Sequence, residues 1–179
     1  MKIDVQTTNY LKELIGVMTR EGLLLCVAGP NGRPNAMTIG WGTVGVIWGR
    51  PIFVALVRPT RYTYGLLEAA GDFTVNLMPR NMADAVAYCG SVSGRDHDKL
   101  AERGLTPVPA KMVRSPLIDE AVLQLECRVV HRNKVEPASL PPEIDAMYNQ
   151  DYHGLFYGHI LAVHADPDLR SKTSTDSDR

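Results

Sequence analysis

Within residues 121–131, apolar and polar side chains alternate without a break from Leu123 to Val129: Leu123, Leu125, Cys127 and Val129 on one side of the register, Gln124, Glu126 and Arg128 on the other. A period of two sends successive side chains to opposite faces of a strand. This stretch is therefore expected to be a strand with one face in a core and the other toward water. It rules out an all-helical fold, and the other apolar runs have to be arranged around a sheet.

Residues 23–28 form a short apolar run, and Gly29-Pro-Asn-Gly32 follows with residues that fix φ or tolerate positive values, as a reversing turn requires. A return strand is expected from Pro34 through Trp41. Gly40, Gly42, Gly45 and Gly49 then punctuate a Trp/Val/Ile-rich segment; glycines at this density mark bulges or close approaches to the backbone, made by core packing or by a ligand. Residues 52–57 are apolar without alternation, as in a strand covered on both faces. Residues 73–78 and 155–163 complete the strands.

Helical spacing appears at Tyr10, Leu14, Val17 and Met18, and again at Tyr62, Leu66, Leu67 and Ala70. Thr60 is expected to cap the second of these helices and Gly71 to end it. Asn81 is expected to cap a helix reaching Cys89, and a further helix over about 96–103 stops at Gly104. Residues 136–149 read as a proline-rich loop with a helical turn. From Asp166 onward one leucine and no aromatic residue are too little apolar surface to offset ordering entropy, so residues 166–179 read as a disordered tail behind one domain, 1–165. Strands outnumber helices and the first four follow one another like hairpins. The expected class is mainly β: a small antiparallel β-barrel with peripheral helices rather than a doubly wound sheet.

Composition narrows the function. With 19 Lys+Arg against 20 Asp+Glu the net charge is -1, which favours neither nucleic acid nor an anionic membrane and leaves a small ligand or a protein partner. Cys26, Cys89 and Cys127 form no CxxC pair, so a disulfide framework or zinc knuckle is not expected. The five histidines make no HExxH pattern, and GxSxG, GxxxxGK[ST] and GxGxxG are absent. The N-terminus carries charges where a signal peptide needs an apolar core, and no apolar run reaches spanning length, so the expected compartment is the cytoplasm.

Two stretches have the chemistry of an anion site. Arg58-Pro-Thr-Arg-Tyr-Thr63 places two guanidiniums and two hydroxyls ahead of a helix, whose free N–H groups and dipole favour negative charge. Ser91-Val-Ser-Gly-Arg-Asp-His-Asp-Lys99 is a second polar turn opening a helix, with Arg95 and Lys99 as cations and Asp96 or Asp98 as cap. Local chemistry equally allows solvated arginines beside a capped helix and an ordinary loop. Trp41, Trp48 and Tyr64 offer faces for a planar ring or belong to an aromatic core. Cys26 and Cys89, in apolar surroundings, read as inert thiols.

NAMTIGW at residues 35–41, GRP at 49–51, RPTRYTY at 58–64, FTVN at 73–76 and SGRDHDK at 93–99 together resemble the flavin reductase-like, FMN-binding split-barrel family, and within it the flavoredoxin branch. The resemblance spans about residues 23–163, and five motifs in order make it specific. It implies a Greek-key split barrel, a homodimer and FMN bound near the subunit interface. It further implies that Thr38, Ile39, Gly40 and Trp41 lie along the isoalloxazine. Arg58, Thr60, Arg61, Tyr62 and Thr63 would hold the phosphate and ribityl chain, with Ser93, Gly94, Arg95, Asp96 and Lys99 completing the site. Tyr152-His-Gly-Leu-Phe-Tyr-Gly-His159 resembles the family's Asp-His…Gly-Glu strand, with Tyr152 in place of the aspartate and His159 in place of the glutamate. His153 is accordingly the candidate catalytic contact to a nicotinamide. The implied activity is transfer of reducing equivalents from NAD(P)H through FMN to a flavin or another acceptor. Two alternatives stay open: an electron carrier reduced by a redox partner protein, and a flavin-binding module without turnover.

Overall fold

In the computed structural model, which describes residues 2–173, the alternating stretch sits in the middle of an eight-stranded sheet. In chain order the elements are β1 (Ile3–Asp4), α1 (Leu11–Arg20), β2 (Leu23–Val27), β3 (Asn35–Ile39), β4 (Gly42–Ile47), β5 (Arg50–Val57), α2 (Tyr62–Ala70) and β6 (Asp72–Leu77). There follow α3 (Ala83–Ser91), α4 (Lys99–Glu102), β7 (Pro107–Val108), β8 (Leu117–Ile118), β9 (Leu123–Lys134), α5 (Pro142–Asp145), β10 (Gly154–Ala165) and α6 (Leu169–Thr173). The path through the sheet is β3-β2-β6-β9-β10-β5-β4, with β1 added on β10, and every pairing is antiparallel. β3 and β4 are the two ends of this path although only Gly40 and Trp41 separate them in sequence. The sheet is thus a curled, unclosed barrel with helices at its periphery.

Two cores explain why some strands alternate and others do not. Inside the barrel Phe53, Phe73 and Phe156 pack with Leu25, Val75 and Leu125, all essentially without exposure. Outside it, α3 and the loop after α4 cover the other side of β2, burying Leu24, Cys26, Val86, Cys89 and Ile118. Because β2 lies between both, all five of its residues are buried, and the apolar run is unbroken. Of the glycines after β3, Gly49 serves a turn: Trp48 and Gly49 both have positive φ, 53° and 68°, as a two-residue hairpin between Ile47 and Arg50 demands. Gly42 serves a close approach, since a Cβ there would lie 2.9 Å from the Val54 carbonyl oxygen.

Several expectations need correction. Of the expected polar face of β9 only Arg128 is in water: Gln124 and Glu126 are 3% and 0% exposed, because the segment carrying β7 and β8 folds over them. Gln124 donates to the Ile118 carbonyl, and Glu126 accepts from the amides of Lys111 and Met112. Neither Thr60 nor Asn81 caps a helix; α2 starts after Arg61 and α3 after Met82, both without a side-chain cap. The helix expected over 96–103 is reduced to α4, capped by Asp98, whose carboxylate accepts from Ala101 N. The tail expected from Asp166 begins too early: Leu169 on α6 is buried in the main core, and Arg170 pairs with Glu13 at 2.8 Å. One apolar anchor in the right place ordered a segment whose composition reads as coil. Residues 174–179 of that expected tail lie outside the described residues.

Candidate functional site

β5 ends at Val57, and the chain turns through Arg58-Pro59-Thr60-Arg61, closed by Arg61 N donating to the Arg58 carbonyl at 3.0 Å. α2 then starts with its first amides unclaimed by any side chain. Opposite, the loop after α3 turns tightly at Ser93, whose carbonyl accepts from Asp96 N and His97 N and whose hydroxyl accepts from Arg95 N. Gly94 lets this loop lie against β3 and α2. A Cβ there would stand 1.9 Å from Asn35 Oδ1 and 3.0 Å from Tyr62 Cδ1, so any side chain would drive the two walls apart.

The walls enclose a cavity of about 370 Å³, within the range of small-molecule sites. Thr38, Ile39, Gly40 and Trp41 line one side; Arg58, Thr60, Arg61, Tyr62 and Thr63 line the second; Ser93, Gly94, Arg95 and Lys99 line the third, and His153 closes it. Of the residues that the resemblance assigns to the cofactor site, Asp96 alone is missing from this lining, and it is exposed, so the cavity does not support the expectation that it completes the site. Among the described residues, four cations border the cavity and no carboxylate does.

These groups are not equally available. Arg58 is committed to the segment before β10, with Nη1 and Nη2 each 3.4 Å from the carbonyls of Tyr148 and Met147 and Asp151 at 3.9 Å. Thr60 donates to Asp151 Oδ2 at 2.7 Å, so its hydroxyl ties the same segment down. The buried ammonium of Lys99 donates to the carbonyls of Cys89 and Val92 and so satisfies the end of α3; burial pushes its pKa down. Thr63 accepts from Asn35 Nδ2 at 2.8 Å, and the Thr38 hydroxyl donates to the Val86 carbonyl. By contrast Arg61, exposed at the mouth, has no side-chain hydrogen bond or ion pair among the described residues, and Arg95 lies over the Tyr62 ring at 5.3 Å.

At the other end the lining is apolar and aromatic. Trp41, 38% exposed, stands 5.0 Å from the His153 ring and 5.9 Å from Tyr148, which in turn stacks on Tyr152 at 5.0 Å. His153 is 8% exposed, and its Nδ1 is buried with no partner. Burial, reinforced by the positive charge of Arg58, depresses its pKa to about 4, so the imidazole is neutral near pH 7.

Two aromatic candidates belong elsewhere. Trp48 sits at the hairpin tip against His131 and Tyr157, and Tyr64 packs edge-on against Phe156 in the core. His159 is outside the cavity. Cys26 and Cys89 are buried free thiols; burial pushes Cys26 up to about 12 and raises Cys89, which keeps both unreactive. Sequence reasoning missed Tyr148, Asp151 and Asn35 as supports. Asn35 opens the very motif that drew attention to Thr38–Trp41, whereas Tyr148 and Asp151 lie in a stretch whose only signal was the cluster YNQDYH before His153.

Comparison with known proteins points the same way. The family model described as "Flavin reductase like domain" matches residues 18–178. A protein of Archaeoglobus fulgidus described only as uncharacterised is 31% identical over 174 residues, 93% of this chain and 86% of the relative. Among solved structures, flavoredoxin of Desulfovibrio vulgaris (Miyazaki F) superposes with a TM-score of 0.68 at 27% identity, covering 82% of this chain and 70% of that one. Flavoredoxin from Methanosarcina acetivorans gives 0.65 at 25% identity, covering 97% and 81%.

Proposed function

We propose, since the chain belongs to the flavin reductase-like domain family, that it is an FMN-dependent oxidoreductase whose flavin lies in the cavity between β3, α2 and the Ser93–Lys99 loop. The observation that carries this reading is the lining of that cavity, which combines four cationic side chains with Trp41 and a largely buried neutral imidazole. The residues fit the group. Arg61 and the uncapped N-terminus of α2 supply charge-assisted and backbone donors for a phosphate. β3 pairs only with β2, so its outer backbone groups are available to the polar edge of a ring system.

Bound FMN supplies the redox chemistry: its ring accepts a hydride or electrons and gives them up again. The protein's own residues position and insulate. Ile39, Trp41 and Leu56 give the ring end an apolar wall that excludes water. Arg58, Thr60 and Asp151 fasten the Tyr148 segment over that end. His153 holds no extra proton at neutral pH, so it adds no charge beside an incoming nicotinamide. NAD(P)H is the proposed reductant and a flavin or another acceptor the proposed product partner.

A homodimer belongs to the same reading. Val46 and Trp48, 77% and 62% exposed, leave an apolar stretch on edge strand β4 that a second copy would cover. The likeness to two flavoredoxins supports a second reading, a carrier reduced by a redox partner protein. Among the described residues no helix is long and apolar enough to cross a membrane.

The test is direct. Apo-protein titrated with FMN should quench its fluorescence and acquire a flavin spectrum; absence of both removes the cofactor assignment. Oxidation of NADH or NADPH by the loaded protein supports the enzyme. No oxidation of either, with reduction by a redox protein, supports the carrier.

A further inference from the structure

Of the four cations around the cavity Lys99 alone is buried, with 4% of its surface exposed. It stands, with Tyr62 and Gly94, between that cavity and a second one of about 240 Å³, and among the described residues neither is lined by a carboxylate. The titratable and charged groups that face it are Cys89 from α3, Cys26 from β2 and Arg61 from the turn before α2. Arg95 and Tyr62 border the same cavity, and Arg33 and His97 border the second. The neighbouring Asp98 is engaged elsewhere, capping α4 and standing 3.7 Å from Arg33. None of these groups balances the lysine: burial pushes Cys26 up to about 12 and raises Cys89, which keeps both thiols neutral, and Arg61 repels it.

The hydrogen bonds lead to the same place. Nζ of Lys99 has two acceptors among the described residues, the carbonyls of Cys89 at 3.0 Å and Val92 at 3.4 Å. An ammonium has three N–H donors and a neutral amine two. Two carbonyls therefore satisfy the neutral form, and the third N–H of the charged form is left without a partner. A desolvated lysine in this position gives up its proton more readily, and burial, reinforced by Arg61, lowers the pKa of Lys99. We propose that an anion entering the cavity supplies the third acceptor, so that loading of FMN is coupled to proton uptake by Lys99 on the alkaline side of neutrality. The inference rests on the flavin reading above and concerns the regulation of the same site. Linkage fixes the sign: a ligand that raises the proton affinity of a group takes up protons as it binds, and its own affinity falls as pH rises. Arg61 keeps its charge throughout, so the cavity combines one fixed attraction with one that titrates.

The test is calorimetric titration of the apo-protein with FMN at about pH 7.5, 8.5 and 9.5, above the second ionisation of a phosphate monoester at about 6. Each titration is run in two buffers of different ionisation enthalpy, and the difference in heat counts the protons taken up. FMN should take up a fraction of a proton that grows with pH, while its affinity falls about three-fold or more across the series. Riboflavin, which lacks the phosphate, should take up none. Lys99→Met should bind FMN without uptake and with an affinity that no longer follows pH. FMN binding with no buffer dependence at any of these pH values overturns the proposal and leaves the flavin reading standing; absence of FMN binding overturns both. Uptake that persists in Lys99→Met, or that riboflavin matches, assigns the proton to another group and overturns the proposal too. Should Lys99→Met fail to fold, the parent protein with FMN and riboflavin decides.

Discussion

Two buried polar regions of this barrel are built on opposite terms. Beneath the segment that carries β7 and β8, every polar group has its partner within the protein. Asp72 accepts from the amides of Arg114 and Ser115 and from the Ser115 hydroxyl; Glu126 accepts from Lys111 N, Met112 N and His164 Nε2, while the other ring nitrogen of His164 faces Asp4 at 2.7 Å. Around the first cavity the accounts are left open: His153 Nδ1 has no partner, α2 has no side-chain cap, and Arg61 is unpaired among the described residues. A buried polar group costs free energy unless it is hydrogen-bonded. Satisfied groups therefore mark a clasp that holds the fold, whereas the open ones border the cavity proposed to take the flavin.

Perturbing one member of each set separates them, and the clasp should give the larger effect. Glu126→Ala strands two partly buried amides and buried His164 and should destabilise the fold by about 3–5 kcal/mol, the cost of breaking a buried pair. Chemical denaturation measures it, and FMN affinity of the folded fraction should hardly change. Arg61→Ala should do the reverse, weakening FMN by about 1.5–3 kcal/mol, the range for hydrogen bonds to a charged group. Its denaturation midpoint should match the parent. A variant of either kind that moved both quantities together would erase the distinction.

Acid sharpens the comparison further. Burial pushes the Glu126 carboxyl up, but hydrogen bonds from His164, Met112 N and Lys111 N outweigh this and hold it below its usual value. Its contribution is complete above the unfolded carboxylate range and is lost as pH falls through the lower folded pKa. His153 acts at higher pH: the unfolded chain takes up its proton near pH 6.5, the folded one only at about 4, so stability declines between those values as pH falls. His153→Gln should flatten this upper limb of a stability-pH curve and leave the lower one in place. The smallest effect should come from Thr60→Val, which removes one partly exposed hydrogen bond to Asp151 and should cost about 0.5–1.5 kcal/mol. Faster proteolysis between residues 137 and 152 of this variant, compared by mass spectrometry, would register the loosened segment.

Much of the site was legible because its residues are close in sequence. A turn that ends a strand and begins a helix is local chemistry, and Arg58–Thr63 and Ser93–Lys99 each declare one. Their meeting across the cavity was not legible, and neither was the use made of each group. Arg58 and Lys99 look alike as cations, yet one fastens the Tyr148 segment and the other the end of α3. Asp96 reads as part of the second motif, yet it is exposed and absent from the cavity lining. The same limit explains β9, where Gln124 and Glu126 have the pattern of a solvated face and are buried by a distant segment.

What the amino-acid sequence determined by itself was the set of local structures: strands by period and β-rich apolar runs, and a family resemblance resting on five ordered motifs. These depend on neighbours within a few residues and on backbone sterics. Tertiary structure alone decided which polar groups were satisfied, and it did so through contacts far apart in the chain, such as Asp72 with Ser115 and Glu126 with His164. It also decided that Leu169 anchors a segment of polar composition, and that Tyr62, Gly94 and Lys99 stand between two cavities. The reason is that desolvation acts on position in the folded molecule, and the same carboxylate or guanidinium changes its role with what lies over it.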